Sequence, residues 1–183
     1  LFYFSGHGFR AKDDNVDYLL PQEATLADLK GTAVALSWVV GKLEASKAKR
    51  TVLVTDACRN VVAKGVAVES KFGGGETDRL IQSKGMVLLR SCEPEEQSQE
   101  APALKHGAYT WFLSKALEGE ADGYPPAGER DGDVTAAEVS AFVRAKVSGY
   151  VRATLSRQQT PTGIGPMDQP IVLASVRARP TQP

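Results

Sequence analysis

Cysteine is scarce in this chain, with two residues in 183, and so is histidine, also with two. Two cysteines cannot build the bridged framework of a small secreted domain, so a reducing, cytoplasmic compartment is expected. Neither charge is in excess: Lys and Arg number 22, and so do Asp and Glu. A balanced chain has no net field to draw in nucleic acid or an anionic membrane, and neither is expected as a partner. No apolar run approaches the roughly 20 residues of a spanning helix, and no basic start marks a secretory signal. A leading methionine is missing too. The chain opens at Leu1, already inside a strand-like run, so we expect it to be part of a longer polypeptide.

What is present is an ordinary globular mixture, 42% hydrophobic and 24% charged, at a length that suits one domain with a full core. Four apolar runs read as strands: LFYF at 1–4, TVLVT at 51–55, MVLLRS at 86–91 and IVLASV at 171–176. They lack polar alternation, the pattern of strands covered on both faces. Helical stripes lie between them, at Leu36, Val39, Val40 and Leu43, at Tyr109, Phe112, Leu113, Ala116 and Leu117, and from Val139 to Val151. Strand alternating with helix predicts an α/β fold, a mostly parallel sheet with helices on both faces.

The third helix has a start signal, since Thr135 to Glu138 has the form of a capping box. The turn before it, Arg130-Asp131-Gly132-Asp133, invites a calcium-loop reading, but the first ligand position would fall on Ala127, which has no ligand oxygen. A plain turn and helix cap is the expectation there. Three stretches read as loops: 59–84, basic and glycine-rich with Lys64, Lys71, Arg79 and Lys84; 92–105, acidic; and 119–133, rich in Gly and Pro.

In open α/β sheets, ligands sit beyond the carboxyl ends of the strands. Two of the expected strands end in reactive side chains. LFYF runs into Ser5-Gly6-His7-Gly8, and TVLVT into Asp56-Ala57-Cys58-Arg59-Asn60. If the two strands are neighbours, His7 and Cys58 emerge at one edge. A free thiol is mostly protonated at neutral pH, and an adjacent imidazole can take its proton and later protonate a leaving amine. The amides of Gly8 and Cys58 could point at a developing oxyanion. Taken singly, each residue has a plainer reading, Cys58 as a small buried hydrophobe and His7 as a satisfied turn residue.

FYFSGHG followed by VLVTDACRN resembles the caspase-like cysteine peptidases, especially the bacterial relatives of metacaspases. Caspases carry the histidine about 50 residues upstream of the cysteine. Tyr18-Leu19-Leu20-Pro21, the segment Gly85 to Ser91, His106-Gly107-Ala108-Tyr109-Thr110 (similar to the family's HGxFT), Asp131-Gly132 and Gln159-Thr160-Pro161 extend the likeness over roughly 1–175. The resemblance implies a three-layer caspase-like sandwich spanning 1–183, lacking an N-terminal strand–helix unit, with 59–84 as a processing loop cut at Lys64, Lys71, Arg79 or Lys84.

It also implies a cysteine endopeptidase acting on protein or peptide substrates, with Cys58 as nucleophile, His7 as acid and base, and the Gly8 and Cys58 amides as oxyanion donors. Asp56 stands where animal caspases have Gln and matches the acid that metacaspases use to bind Arg or Lys before the scissile bond. Ser5 matches a serine of that pocket, and Ser91 lines the groove. Asp56 could instead cap the turn that follows. The family's second pocket acid lies upstream of the histidine, outside this chain, and Glu100 or Asp122 could substitute. His106 reads as structural. No metal or organic cofactor is needed; calcium activation, self-processing and a regulatory domain on the same polypeptide follow by analogy alone. The rival readings are cleavage after Asp, and an inactive caspase-like scaffold or signalling domain.

Overall fold

The computed structural model describes residues 1–11, 15–58, 60–63, 66–69, 74–94, 96–126 and 129–176, with backbone alone at 58, 60–63 and 66–69. In chain order the strands are β1 (Phe2–Arg10), β2 (Asp17–Leu20), β3 (Val34–Ala35), β4 (Val52–Cys58), β5 (Asn60–Ala63), β6 (Val66–Glu69), β7 (Val87–Arg90), β8 (Glu100–Ala101), β9 (His106–Gly107), β10 (Asp133–Thr135), β11 (Thr162–Ile164) and β12 (Val172–Ser175). The α-helices are α1 (Leu29–Thr32), α2 (Leu36–Ala45), α3 (Glu76–Ser83), α4 (Ala108–Lys115) and α5 (Ala136–Leu155).

Six strands form one mixed sheet in the order β11-β7-β4-β1-β2-β3. Its centre is parallel, β1 against β4 and β4 against β7, while β2, β3 and β11 join antiparallel at the flanks. Alternation along the central strands splits the core into two layers. Val52, Val54, Val87 and Leu89 pack with Tyr109, Leu113, Phe142, Val143 and Val147 of α4 and α5. Leu53 and Leu88 face the other way, against Leu36, Val39 and Val40 of α2 and Ile81 of α3. Period-two strands thus feed both helical layers, the α/β sandwich expected.

The long helix α5 forms as its sequence predicts. Thr135 accepts from the Glu138 amide and Glu138 answers onto the Thr135 amide, a complete capping box. Val139, Phe142, Val143, Val147 and Val151 then bury one stripe, each stabilising by about 1.5–3 kcal/mol. β-Branched valines are indifferent helix formers, so packing rather than propensity holds the helix.

Several expectations change. The first strand does not stop at Phe4 but continues through Ser5-Gly6-His7-Gly8 to Arg10, because β2 pairs with its second half from His7↔Leu20 to Arg10↔Asp17. Arg10 binds both carboxylate oxygens of the buried Asp17, through Nε at 2.9 Å and Nη2 at 2.8 Å, and pins the loop end of this hairpin. Nor is β1 covered on both faces, since Tyr3, Ser5 and His7 alternate as exposed positions. The run at 171–176 is not a buried parallel strand. It forms β12, paired antiparallel with β10 in a separate two-stranded sheet, with Val172 48% exposed. The expected loop 59–84 contains the β5–β6 hairpin and helix α3, so Arg79 sits in a helix and Lys84 caps it. Lys64 and Lys71 lie outside the described residues.

Candidate functional site

The β1–β4 register assembles the site. Ser5 pairs with Asp56 and His7 with Cys58, at the carboxyl ends of two parallel neighbours. Paired residues of parallel strands occupy the same face, so positions 5, 7, 56 and 58 share one. It is the face of α4: Tyr3 Oη lies 2.7 Å from Thr110 Oγ1, and Thr110 donates to Asp56 Oδ2 at 2.5 Å. Both motifs therefore lie inside strands, held by sheet hydrogen bonds, rather than in the turns after them.

Asp56 is 5% exposed. Ser98 donates to its Oδ1 at 2.6 Å and Thr110 to its Oδ2. Among the described residues no lysine or arginine pairs with it. Hydroxyl donors offset only part of the cost of desolvating a carboxylate, which makes this buried acid a ready partner for an incoming cation.

A second carboxylate approaches the same point. Glu100 pairs with Gly107 in the short β8–β9 ladder, and a Cβ built on Gly107 would lie 3.1 Å from Asp56 Oδ2 and 3.9 Å from Glu100 Oε1. Glycine at 107 lets the two acids converge, and Glu100 is the exposed one. Asp122 is elsewhere. It accepts from the amides of Asp131 and Gly132 and ties down the turn before α5, while Glu138 also accepts from Gly123 N at 2.8 Å. Turn and cap account for these acids.

Ser91 is fully buried. Its amide donates to Thr55 O and its carbonyl accepts from Gln159 Nε2 at 3.0 Å, so it lies beneath the site, and Ser98 on the following loop supplies the hydroxyl that meets Asp56. Cys92 is buried beside it. His106 stacks on Trp111 at the start of α4, with ring centroids 5.9 Å apart. Ser98 carried no signal in the sequence, and Thr110 and Gln159 entered it only as members of family-like segments, since hydroxyls and amides are common and acquire a role beside Asp56 only through distant contacts.

Tyr109 is wholly buried, and its hydroxyl has no hydrogen-bond partner among the described residues. Burial, then the charge of Asp56, then Tyr3, push this phenol well above its usual value. An unpaired buried hydroxyl costs about 1–3 kcal/mol, so Tyr109→Phe is expected to raise unfolding stability by about 1–2 kcal/mol in urea titrations at neutral pH. The unfolded phenol ionises near pH 10 while the folded one keeps its proton, so wild-type stability falls as pH rises above about 10. The Phe variant should lack that share of the alkaline loss. A destabilised Phe variant would mean that the hydroxyl is satisfied.

A family model described as Caspase domain matches residues 1–165, a span that includes β1, β4 and every residue placed around Asp56. No curated protein matches the chain. No helix among the described residues is long and apolar enough to cross a membrane.

Proposed function

The chain belongs to the caspase-domain family of peptidases, and from that premise we propose that it is a cysteine endopeptidase cutting after arginine or lysine. The observation that carries the specificity is Asp56, a buried carboxylate with hydroxyl donors and no cationic partner among the described residues, two register pairs back from His7 and Cys58. A substrate guanidinium or ammonium would enter beside Ser5 and pair with Asp56, and with Glu100 at the rim. An aspartate side chain would meet two like charges there, which disfavours caspase-type cleavage.

In this reading His7 takes the thiol proton and the Cys58 sulfur attacks the scissile carbonyl carbon. The amides of Gly8 and Cys58 hold the oxyanion. His7 then gives its proton to the leaving amine as the C–N bond breaks. Water, deprotonated by His7, attacks the thioester, and the acid leaves as Cys58 is restored.

Fluorogenic peptides ending in Arg, Lys, Asp or a neutral residue test this, together with a peptidyl-arginyl chloromethyl ketone whose attachment is located by mass spectrometry. Turnover after Arg and Lys, with the label on Cys58, is the expected result. Turnover after Asp alone would overturn the basic pocket. Neither turnover nor labelling would favour the scaffold reading.

A further inference from the structure

Two hydrogen-bond relays end on Asp56, and their direction is fixed by chemistry. Gln159 is 1% exposed. Its Oε1 accepts from the Gln99 amide at 2.9 Å, and an N–H can only donate, so the oxygen must lie on that side. Nε2 is then the donor, to Ser91 O at 3.0 Å and to Ser98 Oγ at 3.1 Å. Ser98 Oγ therefore accepts from Gln159 and places its own proton on Asp56 Oδ1. On the other side Thr110 places its proton on Asp56 Oδ2, so the Tyr3 hydroxyl must be the donor to Thr110.

A carboxylate gripped at each oxygen by a donor of fixed direction cannot rotate freely about its Cβ–Cγ bond. A fixed carboxylate plane matches the planar, two-pronged guanidinium, whereas a compact ammonium binds a turning carboxylate equally well. Resting on the peptidase reading above, we propose that Gln159 and Tyr3 are positioning residues: acting through Ser98 and Thr110, they hold the plane of Asp56 and make the pocket favour arginine over lysine. Neither needs to touch substrate.

The test compares kcat/KM for matched peptides ending in Arg and Lys. Wild type is expected to favour Arg by at least about tenfold, the scale of one good directional hydrogen bond to a charged group. Ser98→Ala and Tyr3→Phe, which delete only hydroxyls, should each lower that ratio several-fold through loss of Arg turnover, with the change in KM. Gln159→Met should do the same, and should add nothing in a Ser98→Ala background. Loss of structure alone would depress Arg and Lys turnover together and leave the ratio unmoved. A ratio unchanged in both Ser98→Ala and Tyr3→Phe would overturn the proposal, as would a Gln159→Met effect undiminished by Ser98→Ala. Should Gln159→Met fail to fold, the two hydroxyl deletions decide. A wild-type protein that cleaves neither peptide overturns the peptidase reading itself, a different outcome from a wild type that cleaves both equally.

Discussion

Cys58→Ala is expected to abolish peptide hydrolysis, and His7→Ala to lower kcat by about 10²–10⁴-fold, the usual contribution of a positioned acid–base group. The two residues sit as a register pair at the ends of adjacent parallel strands, with sheet hydrogen bonds rather than a loop fixing their spacing. Their variants should differ in one respect. Without Cys58 there is no nucleophile at any pH. Without His7 the thiol must ionise unaided, and an unassisted thiol does so near pH 8.5. The residual activity of His7→Ala should therefore climb toward alkaline pH. The double variant should be no worse than Cys58→Ala alone, because residues that act as a unit are not additive. Pre-steady-state kinetics with an arginyl ester measures both effects. A His7→Ala protein with undiminished kcat at neutral pH would remove the histidine from the mechanism and leave the cysteine to find another base.

How much of this was legible in the chain depends on distance along it. Helix α5 was readable because its signal is local: a capping box at Thr135 and a stripe of apolar residues at helical spacing. The reactive motifs were readable because scarce residue types sat at the ends of apolar runs. Their register was not, since Ser5↔Asp56 and His7↔Cys58 pair across 51 residues and only the folded sheet sets them. Helix α3 was hidden in a glycine-rich stretch. Gly74 at φ +86° and Gly75 at φ +59° make the turn that starts it, so glycines that read as loop are its entry. The run at 171–176 misled for the opposite reason, because a short apolar run looks the same in a core strand as in an exposed ribbon. Ser98, Thr110 and Gln159 reach Asp56 or its partners across more than 40 residues, and no local pattern announces such contacts.

Asp56→Asn is expected to lower kcat/KM for arginine peptides by about 10²–10³-fold, because removing one partner of a desolvated ion pair costs about 3–5 kcal/mol. The change is nearly isosteric, yet it alters two things at once. It removes the negative charge that receives the guanidinium. It also puts an amide donor where both Ser98 and Thr110 already donate, so one hydroxyl must turn away. Glu100→Gln should cost far less, a few-fold at most, since an exposed carboxylate pairs weakly in high dielectric. A peptide ending in citrulline, which keeps the shape of arginine without its charge, should lose nothing in Asp56→Asn. The substrate-free protein should respond in the other direction. Asp56 is buried with no cation among the described residues beside it, so neutralising it relieves an uncompensated charge, and the melting temperature should hold or rise. Arginine turnover that collapses while stability holds marks a carboxylate kept for its ligand. A melting temperature that falls along with turnover would instead make Asp56 a structural acid whose work is to seat Ser98 and Thr110, and the basic pocket would then have to be sought around another residue.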